Sequence, residues 1–286
     1  MIRSAGIISK PRRHEIREVL PGLVEWLRAR GLAVHQDQET AMTMGSAESG
    51  IPREELAAQV DLVVVLGGDG TLLAAARASH GRSLPILAVN LGSLGFLTAV
   101  TLTEMYPTLE QILAGQHEED SRRMLSVDLI RGQETLATYS ALNDVVLNKA
   151  AISRMMDFEV FVDGQFVCNF KADGMILSTP TGSTAYSMAA GGPITYPSVE
   201  ALIMTPICSH TLSNRPVVLP DRCTVEVVIH SEEESVYLTV DGQVGTAVHN
   251  QDRVVCRRSP HSIRLVCPPG KGYWEILRNK LKWGQR

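Results

Sequence analysis

The residues best suited to handling phosphate stand together at Gly67-Gly-Asp-Gly-Thr71. A strand, a glycine-rich turn and a helix start leave backbone N–H groups pointing outward, and the helix dipole adds partial positive charge there. Glycine lets the main chain approach a phosphate with no side chain between them. The run is neither a Walker loop, since G-x-x-x-x-G-K-[ST] occurs nowhere in the chain, nor a G-x-G-x-x-G turn. Asp69 is its unusual member. A carboxylate at a phosphate site repels the ligand unless it holds a metal or takes up a proton; in phosphoryl transfer an aspartate orients and deprotonates the attacking hydroxyl. The plainer role is an Asx-turn, or a cap for the helix beginning at Thr71.

Two further clusters carry polar groups where the pattern is otherwise apolar. Asn143 and Asp144 sit inside Ala141-Leu-Asn-Asp-Val-Val-Leu147, and an unpaired buried polar group costs about 1–3 kcal/mol. Either the pair marks a bulge or strand end facing water, or it grips ribose hydroxyls or an adenine edge. After Lys171-Ala-Asp-Gly174, a strand at 175–178 runs into Thr179-Pro-Thr-Gly-Ser-Thr-Ala-Tyr-Ser187, dense in hydroxyls and followed by small residues. Such a loop can offer many hydrogen bonds to a dinucleotide, although by composition alone it is simply a loop.

Leu66-Gly-Gly-Asp-Gly-Thr71 resembles the G-G-D-G-T motif shared by NAD kinases, diacylglycerol kinases and sphingosine kinases. Asn90-Leu-Gly-Ser-Leu-Gly-Phe-Leu97, Leu142-Asn-Asp144, Lys171-Ala-Asp-Gly174, Thr179 to Ser187 and His210-Thr-Leu-Ser-Asn-Arg-Pro216 then follow in the order found in NAD kinases. The resemblance spans nearly all of residues 60–245, and the lipid kinases lack the long T-P-T-G-S-T-A-Y-S segment. It implies the NAD kinase fold and transfer of a phosphoryl group from ATP to the 2′-hydroxyl of the adenosine ribose of NAD, giving NADP and ADP. By the same resemblance Asp69 is the general base, with Gly70 beside the dinucleotide. Asn143 and Asp144 hold ribose and nicotinamide-side groups. Thr184, Ala185, Tyr186, Ser187, Met188 and Ala189 line the NAD pocket, Gln243 completes it, and Arg154, Lys171 and Asp173 are further contacts. The chain departs from the family pattern at Ser209, where proline is expected, and His210 is read as structural. The resemblance also implies a divalent cation, Mg²⁺ or similar, accompanying ATP, and a homo-oligomer, tetramer or dimer.

These residues need elements to hold them. Up to about residue 120 the apolar pattern alternates between strand and helix periods, as in a βαβ protein. Gly6 to Ile8, Leu32 to His35, Asp61 to Leu66 and Leu84 to Asn90 read as strands, the third a continuous apolar run belonging in the middle of a parallel sheet. Helices are predicted over 13–30, 53–59, from Thr71, and near 104–115, with Pro21 expected to kink or break the first. Residues 41–51 read as a loop. Beyond residue 122 the period becomes 2, with a hairpin turn at Asp163-Gly164 and short strands at 225–229, 236–240, 253–256 and 263–266. The fold expected is an α/β, Rossmann-like N-terminal domain over 1–122 and a β-rich, sandwich-like C-terminal domain over 123–270. A final helix, 271–286, carries Trp274, Leu277 and Leu281 on one side and packs back on the first domain.

Composition narrows the rest. In 286 residues, 27 Lys+Arg stand against 31 Asp+Glu for a formal charge of -4, without the basic surplus of a nucleic-acid binder. Five cysteines with no C-x-x-C pair read as reduced thiols of a cytoplasmic protein. Neither a signal peptide nor a run of ~18 apolar residues is present, so no membrane partner is expected. A lipid kinase would require an apolar acceptor pocket. A non-catalytic dinucleotide sensor gains little from a carboxylate at position 69, and a dehydrogenase would normally need the missing G-x-G-x-x-G turn.

Overall fold

A computed structural model describes residues 2–10, 14–79, 82–92, 94–149, 156–209, 213–230, 236–267 and 270–284. The chain forms two units, residues 1–121 with 261–286, and residues 122–260.

Apolar runs of strand length build the first unit. In chain order its elements are β1 (Ser4–Ser9), α1 (His14–Ala29), β2 (Ala33–Gln36), α2 (Gln38–Thr43), α3 (Arg53–Gln59), β3 (Leu62–Leu66), α4 (Asp69–Ala78), β4 (Pro85–Asn90), β5 (Val100–Thr101) and α5 (Leu102–Leu113). The main strands lie in the order β2, β1, β3, β4, all parallel. Successive side chains point to opposite faces. Ile7, Val64, Leu66, Leu87 and Val89 therefore pack together with Ile16, Leu20 and Leu23 of α1 and Leu109 and Ile112 of α5. The other face meets α3, where a Cβ on Gly6 would come within 3.1 Å of Leu56. Because both faces are covered, β3 and β4 are buried at every position and need no polar alternation.

Three local expectations change. Helix α1 runs unbroken through Pro21; Pro21 and Arg17 both lie on its exposed side, where water can take the carbonyl bond that proline cannot supply. The loop expected over 41–51 is partly helical: the Asp37 carboxylate caps α2 by accepting from the Thr40 N–H at 3.0 Å, and Arg53 in turn binds Asp37. The two strands expected at 253–256 and 263–266 are one.

The second unit contains β6 (Glu119–Arg131), which begins just before it, then β7 (Glu134–Ala141), β8 (Asp144–Lys149), β9 (Met156–Val162), β10 (Gln165–Ala172), β11 (Gly174–Ser178) and the short α6 (Tyr186–Ala189). Next come β12 (Ala201–Ile207), β13 (Val217–Pro220), β14 (Val225–His230), β15 (Val236–Val240), β16 (Val244–Val248) and β17 (Arg253–Val266). One antiparallel sheet has the order β13, β12, β11, β8, β15, β16. Opposite it, β10, β9, β14 and the first part of β17 pair antiparallel, as do β6 and β7. Val145, Leu147, Met175, Leu177 and Leu238 of the first sheet and Val127, Phe158, Val160 and Val227 of the second form one core, that of a β-sandwich. The β9–β10 hairpin turns at Asp163 and Gly164, both at positive φ (50° and 76°), as a tight right-twisted turn requires.

β17 passes into the first unit at His261 and there pairs parallel with β4 through Arg264 and Leu265. Helix α7 (Tyr273–Leu281) follows. Lys271 beside it bonds the Ala99 carbonyl at 3.3 Å and Glu104 at 2.6 Å. Of the expected trio on its apolar side, Leu277 is fully buried and Trp274 is exposed.

Phe158 is fully buried and stacked on Phe170, centroids 5.6 Å apart. Phe158→Ala should destabilise the second unit by about 3–5 kcal/mol, seen as a lower urea midpoint by circular dichroism; an unchanged midpoint would refute this description of the core.

Candidate functional site

Two clusters answer to the sequence motifs, one within each unit. In the first, β3 and β4 end side by side in parallel register, Leu66 opposite Val89, and the Gly67 N–H donates to the Val89 carbonyl at 2.9 Å. Their glycine turns therefore leave the same edge of the sheet, the carboxyl end at which open α/β sheets bind ligands. Gly67 cannot carry a side chain, since its Cβ would lie 2.4 Å from Thr71 Oγ1. Helix α4 starts at Asp69, two residues earlier than the sequence suggests, so Asp69 and Gly70 form its first turn at the positive end of the dipole.

The Asp69 side chain reaches across to the turn after β4. Its Oδ1 accepts from the Leu97 N–H (3.2 Å), the Thr98 N–H (3.0 Å) and the Thr98 hydroxyl (2.9 Å), while Oδ2 accepts from the Phe96 N–H alone (2.9 Å). An ionised carboxyl offers about four lone-pair positions. One oxygen is thus filled, and the other keeps room for one further donor. Gly95 is required at this point, because its Cβ would lie 2.1 Å from Asp69 Oδ1 and 2.2 Å from Thr98 Oγ1.

In the second unit, a cavity of about 350 Å³ lies on the outer face of the six-stranded sheet, lined among others by Asn143, Asp144, Asn148, Tyr186, Thr239 and Asp241. The period of 2 explains it. Val145 and Leu147 of β8 point into the sandwich core, so Asp144, Val146 and Asn148 point the other way, and Thr239 does the same on β15. Asp241, at φ 50°, turns its carboxylate back on the 142–144 backbone. It accepts from Leu142 N (3.2 Å), Asn143 N (2.8 Å) and Asp144 N (3.3 Å). Asp144 is buried as well. Burial, and after it the neighbouring Asp241 carboxylate, push the Asp144 carboxyl up to about 7, against the pull of the Tyr186 N–H that it accepts. Asn143 Oδ1 is buried without a hydrogen-bond partner.

The hydroxyls of the 179–187 segment mostly hold the segment itself. Thr179 bonds the Leu142 carbonyl (2.6 Å) and receives the Gly182 N–H, Ser183 bonds the Pro180 carbonyl (2.6 Å), and Ser187 meets Thr205 (3.0 Å). Gly182 sits against Asn143, where a Cβ would be 2.0 Å from the carbonyl oxygen. This bracing presents Ala185 and Tyr186 to the cavity; Thr184, Ser187, Met188 and Ala189 do not line it. Gln243 also lies outside the lining, in the turn that supplies Asp241 and Gly242. Lys171 pairs with Asp157 at 3.6 Å and Asp173 with Lys149 at 2.6 Å, both away from the lining. Arg154 and His210 fall outside the described residues. Asp241 was hidden in the sequence by Asp-Gly, which reads as an ordinary turn. Among the described residues, no group of three or more His, Cys, Asp or Glu side chains is placed to hold a metal ion, and no helix is long and apolar enough to cross a membrane.

Residues 5–117 match the ATP-NAD kinase N-terminal domain, and residues 142–267 match the ATP-NAD kinase C-terminal domain. The chain belongs to the NAD kinase family. It is 53% identical over 286 residues to an NAD kinase of Solibacter usitatus, covering 100% of this chain and 99% of the relative. An NAD kinase of Koribacter versatilis is 49% identical, with 100% of both chains covered. Among solved structures, yeast NADH kinase complexed with NADH superposes with a TM-score of 0.91 at 27% identity, covering 100% of this chain and 89% of that one. An NAD kinase from Archaeoglobus fulgidus in complex with ATP shares the fold, with a TM-score of 0.74 at 24% identity over 98% of this chain and 97% of that one. The chain is accordingly an enzyme that phosphorylates NAD to NADP with ATP.

The Asp144 carboxyl gives this kinase a pH signature. Its folded-state pKa of about 7 lies above the ordinary 3.8. Between those values the folded chain holds a proton that the unfolded chain has lost, so stability falls as pH rises through that window. Melting curves from pH 5 to 8 should show this decline, and Asp144→Asn should flatten it and melt higher than wild type at pH 8. Parallel curves for the two proteins would contradict the assignment.

Proposed function

We propose that Asp69 is the general base of the transfer and that the cavity around Asn143, Asp144, Tyr186 and Asp241 holds part of the dinucleotide. The ribose 2′-oxygen attacks the γ-phosphorus of ATP as its proton passes to Asp69 Oδ2. The bond to the β-phosphate oxygen breaks, and its electron pair leaves on ADP. The observation that carries the reading is the asymmetry of the Asp69 carboxylate, with Oδ1 filled by three donors and Oδ2 by one. A base must retain acceptor capacity aimed at its substrate, and Oδ2 retains it. The unpartnered Asn143 oxygen supports the second half, because a buried acceptor on a cavity wall awaits a donor such as a ribose hydroxyl or an amide N–H.

Gly70, Arg154, Lys171, Asp173, Thr184, Ser187, Met188, Ala189 and Gln243 stay in the proposal as dinucleotide contacts on their motif positions, and Ala185 and Tyr186 on lining as well. ATP enters as substrate with its own divalent cation, Mg²⁺ or similar, since such ions are commonly held by substrate phosphates with one or two carboxylates. A reducing, cytoplasmic location is supported by five cysteines that form no disulfide with one another. A homo-oligomer, tetramer or dimer, is supported by the edge strand β13, which exposes Val217 and Val218.

Asp69→Asn should lower kcat by about 10²–10⁴-fold while leaving the Kd for NAD near that of wild type, with a lower melting temperature because its NH₂ faces the Phe96 N–H. Turnover within a few-fold of wild type would overturn the base assignment. Light scattering on the purified protein should give two or four chain masses; a single chain mass would remove the oligomer from the reading.

A further inference from the structure

Asp69 is not held by backbone alone. Behind it runs a chain of three side-chain hydrogen bonds whose direction is fixed by its far end. The Gly92 N–H is a donor only, and it meets Asn90 Oδ1 at 2.6 Å. The Asn90 amide cannot flip without setting its own NH₂ against that N–H. Its Nδ2 therefore faces Thr98, donating to Oγ1 at 2.9 Å. With its oxygen receiving that bond, the Thr98 hydroxyl proton turns to Asp69 Oδ1, 2.9 Å away. Thr98 is fully buried and Asn90 nearly so, which shields the chain from competing water.

We infer that Thr98 and Asn90 are positioning residues of the kinase reaction: through their directed hydrogen bonds they add a side-chain donor to Asp69 Oδ1, beside the Leu97 and Thr98 N–H groups, and so hold the carboxylate with Oδ2 as the oxygen that receives the substrate proton. The inference rests on the reading of Asp69 as base, and adds to it the residues that decide which oxygen acts and in what orientation. Neither Thr98 nor Asn90 needs to touch substrate. Without the Thr98 hydroxyl, Oδ1 keeps its two N–H donors, but the carboxylate loses the one side-chain contact among the four that stop it rotating about its Cβ–Cγ bond. The Thr98 N–H survives any substitution, so the loop keeps its backbone attachment to Asp69, and the effect of the hydroxyl separates from that of the fold.

The test compares wild type, Thr98→Val, Thr98→Ser and Asp69→Asn in kcat, KM for NAD and melting temperature. Valine matches threonine in shape and removes only the hydroxyl. It should lower kcat by about 10–100-fold, the worth of one hydrogen bond to a charged group, with KM for NAD changed by less than about threefold, a split that a merely structural role would not produce. Serine keeps the hydroxyl and should restore turnover. If Thr98→Val matches wild type in kcat while Asp69→Asn has collapsed, the inference fails and the base reading stands. If Asp69→Asn itself turns over normally, the base reading fails and takes this one with it. Should valine prove too unstable to assay, a fall of about tenfold or more in the serine variant, which retains the hydroxyl-to-carboxylate bond, overturns the inference.

Discussion

The parallel register of β3 against β4 is the constraint on which the first site depends. Leu66 opposite Val89 brings two glycine turns off the sheet at the same level. Only then can a side chain starting one helix, Asp69, collect the N–H groups of the neighbouring turn. A shift of one residue would turn Val64 and Leu66 from the α1 side to the α3 side and carry Asp69 away from residues 96–98. Gly67 and Gly95 follow from the same closeness, each leaving room where a Cβ would overlap an oxygen. The buried strand, the glycines and the aspartate are thus one arrangement described at three scales.

The two units handle carboxylates in opposite ways. Asp69 sits at a helix start and is surrounded by four donors from the neighbouring turn. Asp144 is buried beside a second carboxylate and accepts a single N–H, so its environment favours the proton. Asp241 is spent on the main chain, gathering three consecutive amides at the point where β8 begins. One chain therefore carries a carboxyl ringed by donors in one unit and, near neutral pH, a carboxyl able to donate in the other.

Much of this was legible in the sequence, because the signals were local. The apolar run at β3, the Asp163-Gly164 turn and the change of period after residue 122 each follow from two or three neighbouring residues. Pro21 misled because the cost of a helical proline depends on which side of the helix it faces, and that is a property of packing. The expected strands at 253–256 and 263–266 are joined in β17 through Pro260, since proline is tolerated in a strand where its missing N–H is not needed for pairing. Within the sites, the motifs pointed to Asp69, Asn143 and Asp144. Asp241 and Thr98 are not legible in the same way, since each acts through a partner distant along the chain: 97 or more residues for Asp241, 29 for Thr98; Asn90 acts through Thr98, eight residues on. The hydroxyl-rich loop was legible as a site but not in its manner of working, for its threonines and serines brace the main chain and leave the cavity to Ala185 and Tyr186.

The path of β17 bears on how the chain is made. The first unit is built from two separate stretches, residues 1–121 and 261–286. The far side of β4 is shared between them: β5 pairs with its Val89–Asn90 end, and β17, reached only after residue 260, pairs with Pro85 and Ile86. Synthesis runs from the N-terminus, and domains usually fold as they emerge. The second unit, continuous from 122 to 260, is therefore translated in full before the first receives its last strand partner and α7, and the order of completion is the reverse of the order in which the two begin.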